Sequence, residues 1–198
     1  MKKDNIVKLF LDGLKEHLSE DDVIGLSYAS GASATLLARL KARYPDCPES
    51  LVELLSNING TYWQKYGEHT VAVLILGSDM SEYPYYLKSV EQILDENNHG
   101  SSINQIYNEY KDNFPDLVDQ AIDANINIDL WLCFSDCMNN GGTSSLYIDF
   151  NPNKTGKKGQ IVRYLHDPDN YKVIANSFDE YLQTLINDNY SFILPDDK

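Results

Sequence analysis

Positive charge is scarce in this chain of 198 residues: 16 Lys and Arg stand against 30 Asp and Glu, for a net charge of −14. A surface of that sign repels phosphates, which argues against direct binding to a nucleic-acid backbone. Cysteine is sparse and odd in number, and Cys47, Cys133 and Cys137 make no disulfide framework. No apolar run approaches the ~20 residues that span a bilayer. The opening MKKDNIVKLFLDGLKEHL also lacks the unbroken apolar centre of a signal peptide. The expectation is a cytosolic protein. Repeats and low-complexity tracts are missing too. Apolar residues make up 42% of the chain, enough to build a core.

The acid is unevenly spread. Residues 61–130 carry 12 acidic and only 3 basic side chains. Such a surplus serves solubility, or it attracts and orients a basic partner.

Helical spacing appears in five places before residue 125. Val7, Phe10, Leu11, Leu14 and Leu18 share a face within 3–19. The stretch SEDDVIGLSYASGAS then reads as a linker. Leu36, Leu37, Leu40 and Tyr44 form a second stripe, stopped by Pro45. Asp46 as cap, Pro48 in the first turn and Glu49 begin a third helix, with Leu51, Leu54, Leu55 and Ile58 inward. Gly60 suits its left-handed end. Ser89 and Gln92 form a capping-box pair ahead of Ile93 and Leu94. Residues 101–124 look helical, with a break at Pro115: Ile103, Ile106, Tyr107 and Tyr110 precede it, and Leu117, Val118 and Ile122 follow.

Residues 69–79, HTVAVLILGSD, read as a strand. From 127 onward the period changes to two. Ile128, Leu130, Leu132 and Phe134 alternate with Asn127, Asp129, Trp131 and Cys133, and Leu146, Ile148 and Phe150 alternate with Ser145, Tyr147 and Asp149. Further strands fall at 160–166 and 171–176. Their short connections require antiparallel pairing. Ser177 and Glu180 then open a closing helix that turns Phe178, Tyr181, Leu182, Leu185 and Ile186 inward. The expected fold is α+β: an antiparallel or mixed sheet of about five or six strands, with N-terminal helices and a C-terminal helix packed on it.

Candidate chemistry is thin. The loop in SLYIDFNPNKTGKKGQIVRYLHD, residues 145–167, carries Gly156, Lys157 and Lys158, but a phosphate-binding loop needs Ser or Thr after its lysine and a helix behind it. A hairpin connection fits better, with Pro152 fixing one dihedral, Gly156 and Gly159 permitting positive ones, and the lysines in water. Cys133 and Cys137 have no ligand set nearby, so burial is expected and no metal. His17, His69, His99 and His166 fall in no catalytic signature, and DPDN lacks the glycine and glutamate of a calcium loop. Trp131 and Tyr147 are read as a second core layer under helices. No cofactor is expected. The segment SDMSEYPYY crowds tyrosines with acid beside a strand end, a composition suited to a protein contact. Asp79, Glu82, Tyr83 and Tyr85, with Asp136 further on, are the candidate contact residues.

Taken in order, LLARLKARYPDCPESLVELLSNING, YLKSVEQILDE, Trp131, SDCMNNGG, LYIDFNP, GKKGQIV and SFDEYLQTL resemble the SUKH superfamily. That superfamily includes bacterial toxin-immunity proteins and fungal cell-wall assembly regulators. The resemblance covers most of 33–186 and implies a mixed α/β domain that binds a protein partner. It places Gly60, Trp131, Gly141, Gly142, Asp149, Pro152, Gly156 and Gly159 at motif positions with architectural roles, and it carries no catalytic residues. Residues 1–30 then form an added helix and linker, 31–198 a single domain, and 98–126 an acidic insertion. The function this implies is non-catalytic neutralisation of a cognate toxin, a basic nuclease being the target that suits the charge. A regulator or scaffold of cell-wall synthesis is the alternative from the same superfamily. An enzyme using His166 or a cysteine is a third reading, for which no site assembles.

Overall fold

The computed structural model describes residues 5–96, 100–108, 116–137, 144–166 and 168–193. Four helices come first: α1 (Ile6–His17), α2 (Glu20–Ser27), α3 (Ala34–Arg43) and α4 (Glu49–Asn57). The hairpin β1 (Gln64–Tyr66) and β2 (His69–Val71) follows, then β3 (Tyr86–Leu87), α5 (Val90–Asp95) and α6 (Ile103–Tyr107). The second half holds β4 (Leu132–Cys133), β5 (Ser135–Asp136), β6 (Ser145–Asp149), β7 (Gln160–Leu165), β8 (Asn170–Ala175) and α7 (Phe178–Asn187). The class is α+β as the sequence predicts. The strands divide into a four-stranded antiparallel sheet, β4-β6-β7-β8, and two antiparallel pairs, β1-β2 and β3-β5. No helix among the described residues is long and apolar enough to cross a membrane.

Helix starts follow local chemistry. The side chains of Ser33, Ser89, Ser102 and Ser177 each accept from the amide three residues on. Ser89 with Gln92 and Ser102 with Gln105 complete reciprocal capping boxes. Glu180 instead takes its side-chain bonds from Asn176. Asp46 does not cap α4: Pro48 is the N-cap, without a side-chain bond, and Asp46 pairs with Lys158 at 2.7 Å.

The expected linker after α1 is a helix. Ser19 caps α2 through the Asp22 amide at 3.1 Å, and Glu20, Asp21 and Asp22 fill a first turn where acid is favoured. Only Leu26 of α2 is buried, so its apolar periodicity is faint. The expected strand at 69–79 ends at Val71; beyond it Val73, Ile75 and Leu76 sink into the core, with a single bridge from Leu76 to Tyr85. Among the described residues of 101–124, the helical expectation is met by α6, and 116–124 is turns. Pro115 and Tyr110 lie outside the described residues, as do His99, Gly141, Gly142 and Asp167.

Period two holds through the sheet and separates two cores. Leu132, Phe134, Leu146, Ile148 and Ile161 face the main core with α7. Trp131, Cys133, Tyr147, Val162 and Tyr171 face a second cluster, covered by Ile103, Leu117, Ile122 and Ile128. Trp131 is therefore core, under one short helix and a set of turns. Residues 128–130 form a 3-10 turn, which breaks the alternation early and leaves Leu130 exposed. α1 packs along α7 and buries Val7, Phe10 and Leu14 in the main core.

The loop between β6 and β7 is a hairpin connection, docked on residues 120–121. The Asn153 amide and Gln160 Nε2 both donate to the Ala121 carbonyl, at 3.0 and 3.1 Å. Buried Asp149 accepts from Gln160 Nε2 at 3.0 Å and from the Asn151 amide at 2.8 Å. Gly156 serves close approach, not a positive φ: a Cβ there would sit 2.4 Å from the Ala121 oxygen and 2.7 Å from Pro152. Gly159 has φ +87° with open space around it, so only backbone strain opposes a side chain. Gly159→Val is expected to lower stability by about 1–2 kcal/mol. Lys157 and Lys158 are exposed. Changing both to Ser should shift stability by no more than about 0.5 kcal/mol, although the exposed pair with Asp46 is lost. Urea unfolding of the two variants measures both; equal effects would refute the assignment of strain to Gly159.

Candidate functional site

A cleft of about 610 Å³ opens where α5 and α6 meet the second face of the sheet. Its floor follows from strand register. Ser145 on β6 pairs with Tyr164 on β7, and Tyr164 with Tyr171 on β8, so the three side chains form one row across the sheet. Tyr164 and Tyr171 stack at 4.7 Å, and Tyr107 of α6 meets Tyr171 edge-on at 6.2 Å. Asp169 holds this row by accepting from the hydroxyls of Tyr107 and Tyr164 at 2.5 and 3.1 Å. Tyr147, one step along β6, rests on the edge of Trp131 at 5.7 Å. Tyr62 lines the cleft as well and packs against Tyr86.

The charged wall comes from β3, α5 and β5. Tyr86 pairs with Asp136 in the β3-β5 ladder, and the Lys88 amide extends it to the Phe134 carbonyl at 2.9 Å. The Lys88 side chain is only 6% exposed; its Nζ lies 2.5 Å from Glu96, 3.4 Å from Cys133 Sγ and 3.6 Å from Asp136 Oδ2. Burial opposes this charge, but Cys133, Glu96 and Asp136 together outweigh it and hold the lysine pKa above its usual range. Burial pushes the carboxyl of Asp136 up, and the neighbouring ammonium only partly offsets that. Burial also pushes the Cys133 thiol up to about 11, which leaves it un-ionised near neutrality and a poor nucleophile. Asp95 completes the wall, so three carboxylates line the cleft against one committed ammonium. Among the described residues, no group of three or more His, Cys, Asp or Glu is placed to hold a metal.

The expected contact residues are not gathered here. Asp136 alone reaches the cleft. Asp79 lies over the opposite face of the sheet, paired with Arg163 at 2.6 Å and Lys172 at 2.7 Å. Burial works against its charge, yet the hydrogen bonds from Arg163 and Lys172 prevail and hold its carboxyl below the usual range. Glu82 is exposed, and Tyr83 is half-buried against the main core. Tyr85 corrects the surface expectation, because it is wholly buried. A run of three tyrosines in four positions looks like a surface, but alternation about Tyr86 puts Tyr85 on the inward side with Leu87. Sequence reading passed over Lys88, Glu96, Tyr107, Tyr164 and Tyr171. The available signal was Lys88 itself, one of 3 basic residues in the acidic third.

The model of the SMI1 / KNR4 family (SUKH-1) matches residues 31–184. No curated protein matches the chain significantly. The family match begins just before α3, takes in every residue lining the cleft and ends within α7. By that span and order of elements, the chain belongs to the SMI1 / KNR4 family (SUKH-1).

Proposed function

We propose that the chain is an immunity protein that binds a basic toxin domain and blocks it by occupancy, without catalysis. The observation that carries this reading is the cleft: concave, walled by tyrosine and lined by surplus carboxylate. Tyrosine supplies large rigid contact area at low conformational entropy, which suits a protein-binding surface. The acid surplus across 61–130 supports the basic sign of the partner. The family includes cell-wall regulators, whose partners are also proteins, so the test must separate the two roles.

The experiment titrates the purified chain against the toxin domain encoded beside its gene. Inhibition is expected to saturate at equimolar chain. The on-rate should fall steeply with salt, since exposed charges are screened beyond roughly 8–10 Å at ordinary ionic strength. Inhibition by far less than equimolar chain would instead reveal turnover and an enzyme. Absence of both complex and protection, with altered wall synthesis on deletion, would replace immunity by the regulatory role.

A further inference from the structure

We infer that Trp63 is a preformed anchor, an indole held out in water to enter an apolar socket, ringed by basic side chains, on the partner protein. This rests on the partner-binding reading above and names the contact at its centre. Trp63 is 58% exposed, more than any other large apolar residue among those described. Its φ is +51°, in the left-handed region. A bulky residue there is a true outlier, and such strain persists where the surroundings impose it, commonly at binding sites. Tyr190 shares the region at φ +54°, but burial offsets its strain. It is 4% exposed, its ring meets Phe10 and His17, and its hydroxyl donates to the Phe10 carbonyl at 2.9 Å. Trp63 carries the same strain while more than half of the residue faces water.

The loop beneath it is clamped. The Thr61 and Tyr62 amides both donate to the Leu87 carbonyl, at 2.7 and 3.1 Å, and the Leu87 amide donates to Thr61 Oγ1 at 3.0 Å. Gln92 Nε2 donates to the Tyr62 carbonyl at 2.9 Å, and the Trp63 amide to the Thr61 carbonyl at 3.0 Å. An aromatic anchor on a fixed backbone loses little conformational freedom on binding. Position and charge select the occupant. Tyr62, the preceding residue, lines the cleft, as does Ile106, itself 51% exposed. The indole is thus continuous with the surface assigned to the partner. Over the β1-β2 hairpin and α5, Glu68, Glu91 and Asp95 are exposed against Lys65. A socket rimmed by Lys or Arg complements that ring of acid. A second copy of this chain, with its net charge of −14, does not.

The test uses the full chain labelled with fluorotryptophan, and the unlabelled toxin domain encoded beside its gene. The chain has two tryptophans, and Trp131 is only 2% exposed, so two fluorine resonances are expected; Trp63→Phe assigns them. In the free chain the Trp63 resonance should shift between light and heavy water, as an exposed ring does. In the complex that solvent shift should vanish, with Trp131 unchanged. Trp63→Gly should weaken toxin binding at least about thirtyfold, the scale of an aromatic hot spot. Its urea midpoint should equal or exceed that of wild type, because glycine accepts φ +51° without strain. A solvent shift that survives in the complex, or a lowered urea midpoint, would each overturn the inference. Loss of the solvent shift on concentrating the chain alone would give the indole to a second copy, and overturn it likewise. If the toxin binds wild type and Trp63→Gly equally, the anchor fails and the immunity reading stands. If it does not bind wild type, immunity fails and the anchor falls with it.

Discussion

Asp79→Asn is expected to lower the unfolding free energy by about 2–3 kcal/mol near neutral pH. Asp79 grips Arg163 with two bonds, to Nε at 2.6 Å and Nη2 at 3.2 Å, while Lys172 donates at 2.7 Å. The Arg163 side chain is only 4% exposed, and its Nη1 has no partner among the described residues. Without the carboxylate, a buried guanidinium stands uncompensated, and breaking a buried pair in this way costs about 3–5 kcal/mol. Asp79 itself is a quarter exposed, which brings the figure to the lower end. Lys172 is half exposed and adds little. The pH dependence has a fixed sign. The carboxyl is held below its usual value, so its stabilisation is present above the unfolded value of about 3.9 and is lost as pH falls through the lowered folded value. The gap between wild type and variant should therefore narrow in acid. Replacing the pair together, Asp79→Leu with Arg163→Met, should recover most of the loss, since apolar substitutes for buried ion pairs are often neutral. Urea unfolding near pH 7 and pH 3 measures all three proteins. A loss below about 0.5 kcal/mol for Asp79→Asn, the ordinary surface range, would reject Asp79 as the counter-ion that the fold requires.

Phe134→Ala should destabilise the protein by about 3–5 kcal/mol. Phe134 joins β4 to β5 and is wholly buried. Its ring meets Phe178 at 5.4 Å and Tyr181 at 5.8 Å, both edge-on, and so locks the sheet to α7. Edge contacts of this kind add about 0.5–1.5 kcal/mol to burial alone. Its backbone also binds both neighbours, donating to the Leu146 carbonyl at 3.1 Å and accepting from the Lys88 amide at 2.9 Å. Collapse of the site is therefore hindered, and a cavity remains. Native stability is typically about 5–15 kcal/mol, so this variant approaches the limit of folding. Leu130→Ala is the control. Leu130 holds an equivalent place in the sequence alternation yet is 45% exposed, and its loss should stay within about 0.5 kcal/mol. Similar effects of the two changes would refute the boundary between turn and strand at Trp131.

Sequence alone determined the features set by near neighbours along the chain. Ser89 and Ser177 mark helix starts because a cap is a bond across three residues. The strands from Leu132 to Ala175 were legible because side chains alternate with period two, and the same alternation sorts Leu146 and Ile148 from Tyr147 into separate cores. The α+β class followed from the order of these elements. The reading failed where local pattern is weak or equivocal: α2 buries one residue, and 72–76 is apolar without alternation. Tertiary structure decided the rest. Asp79 and Arg163 lie 84 positions apart, as Lys88 and Cys133 lie 45 apart, and no local period links such pairs. Folding made Asp79 a counter-ion, sent Tyr85 inward and brought Lys88 to Asp136. The row Ser145–Tyr164–Tyr171 exists only through register across three strands. Desolvation and charge pairing act through space, so the chemistry of the cleft came into being only when the chain folded.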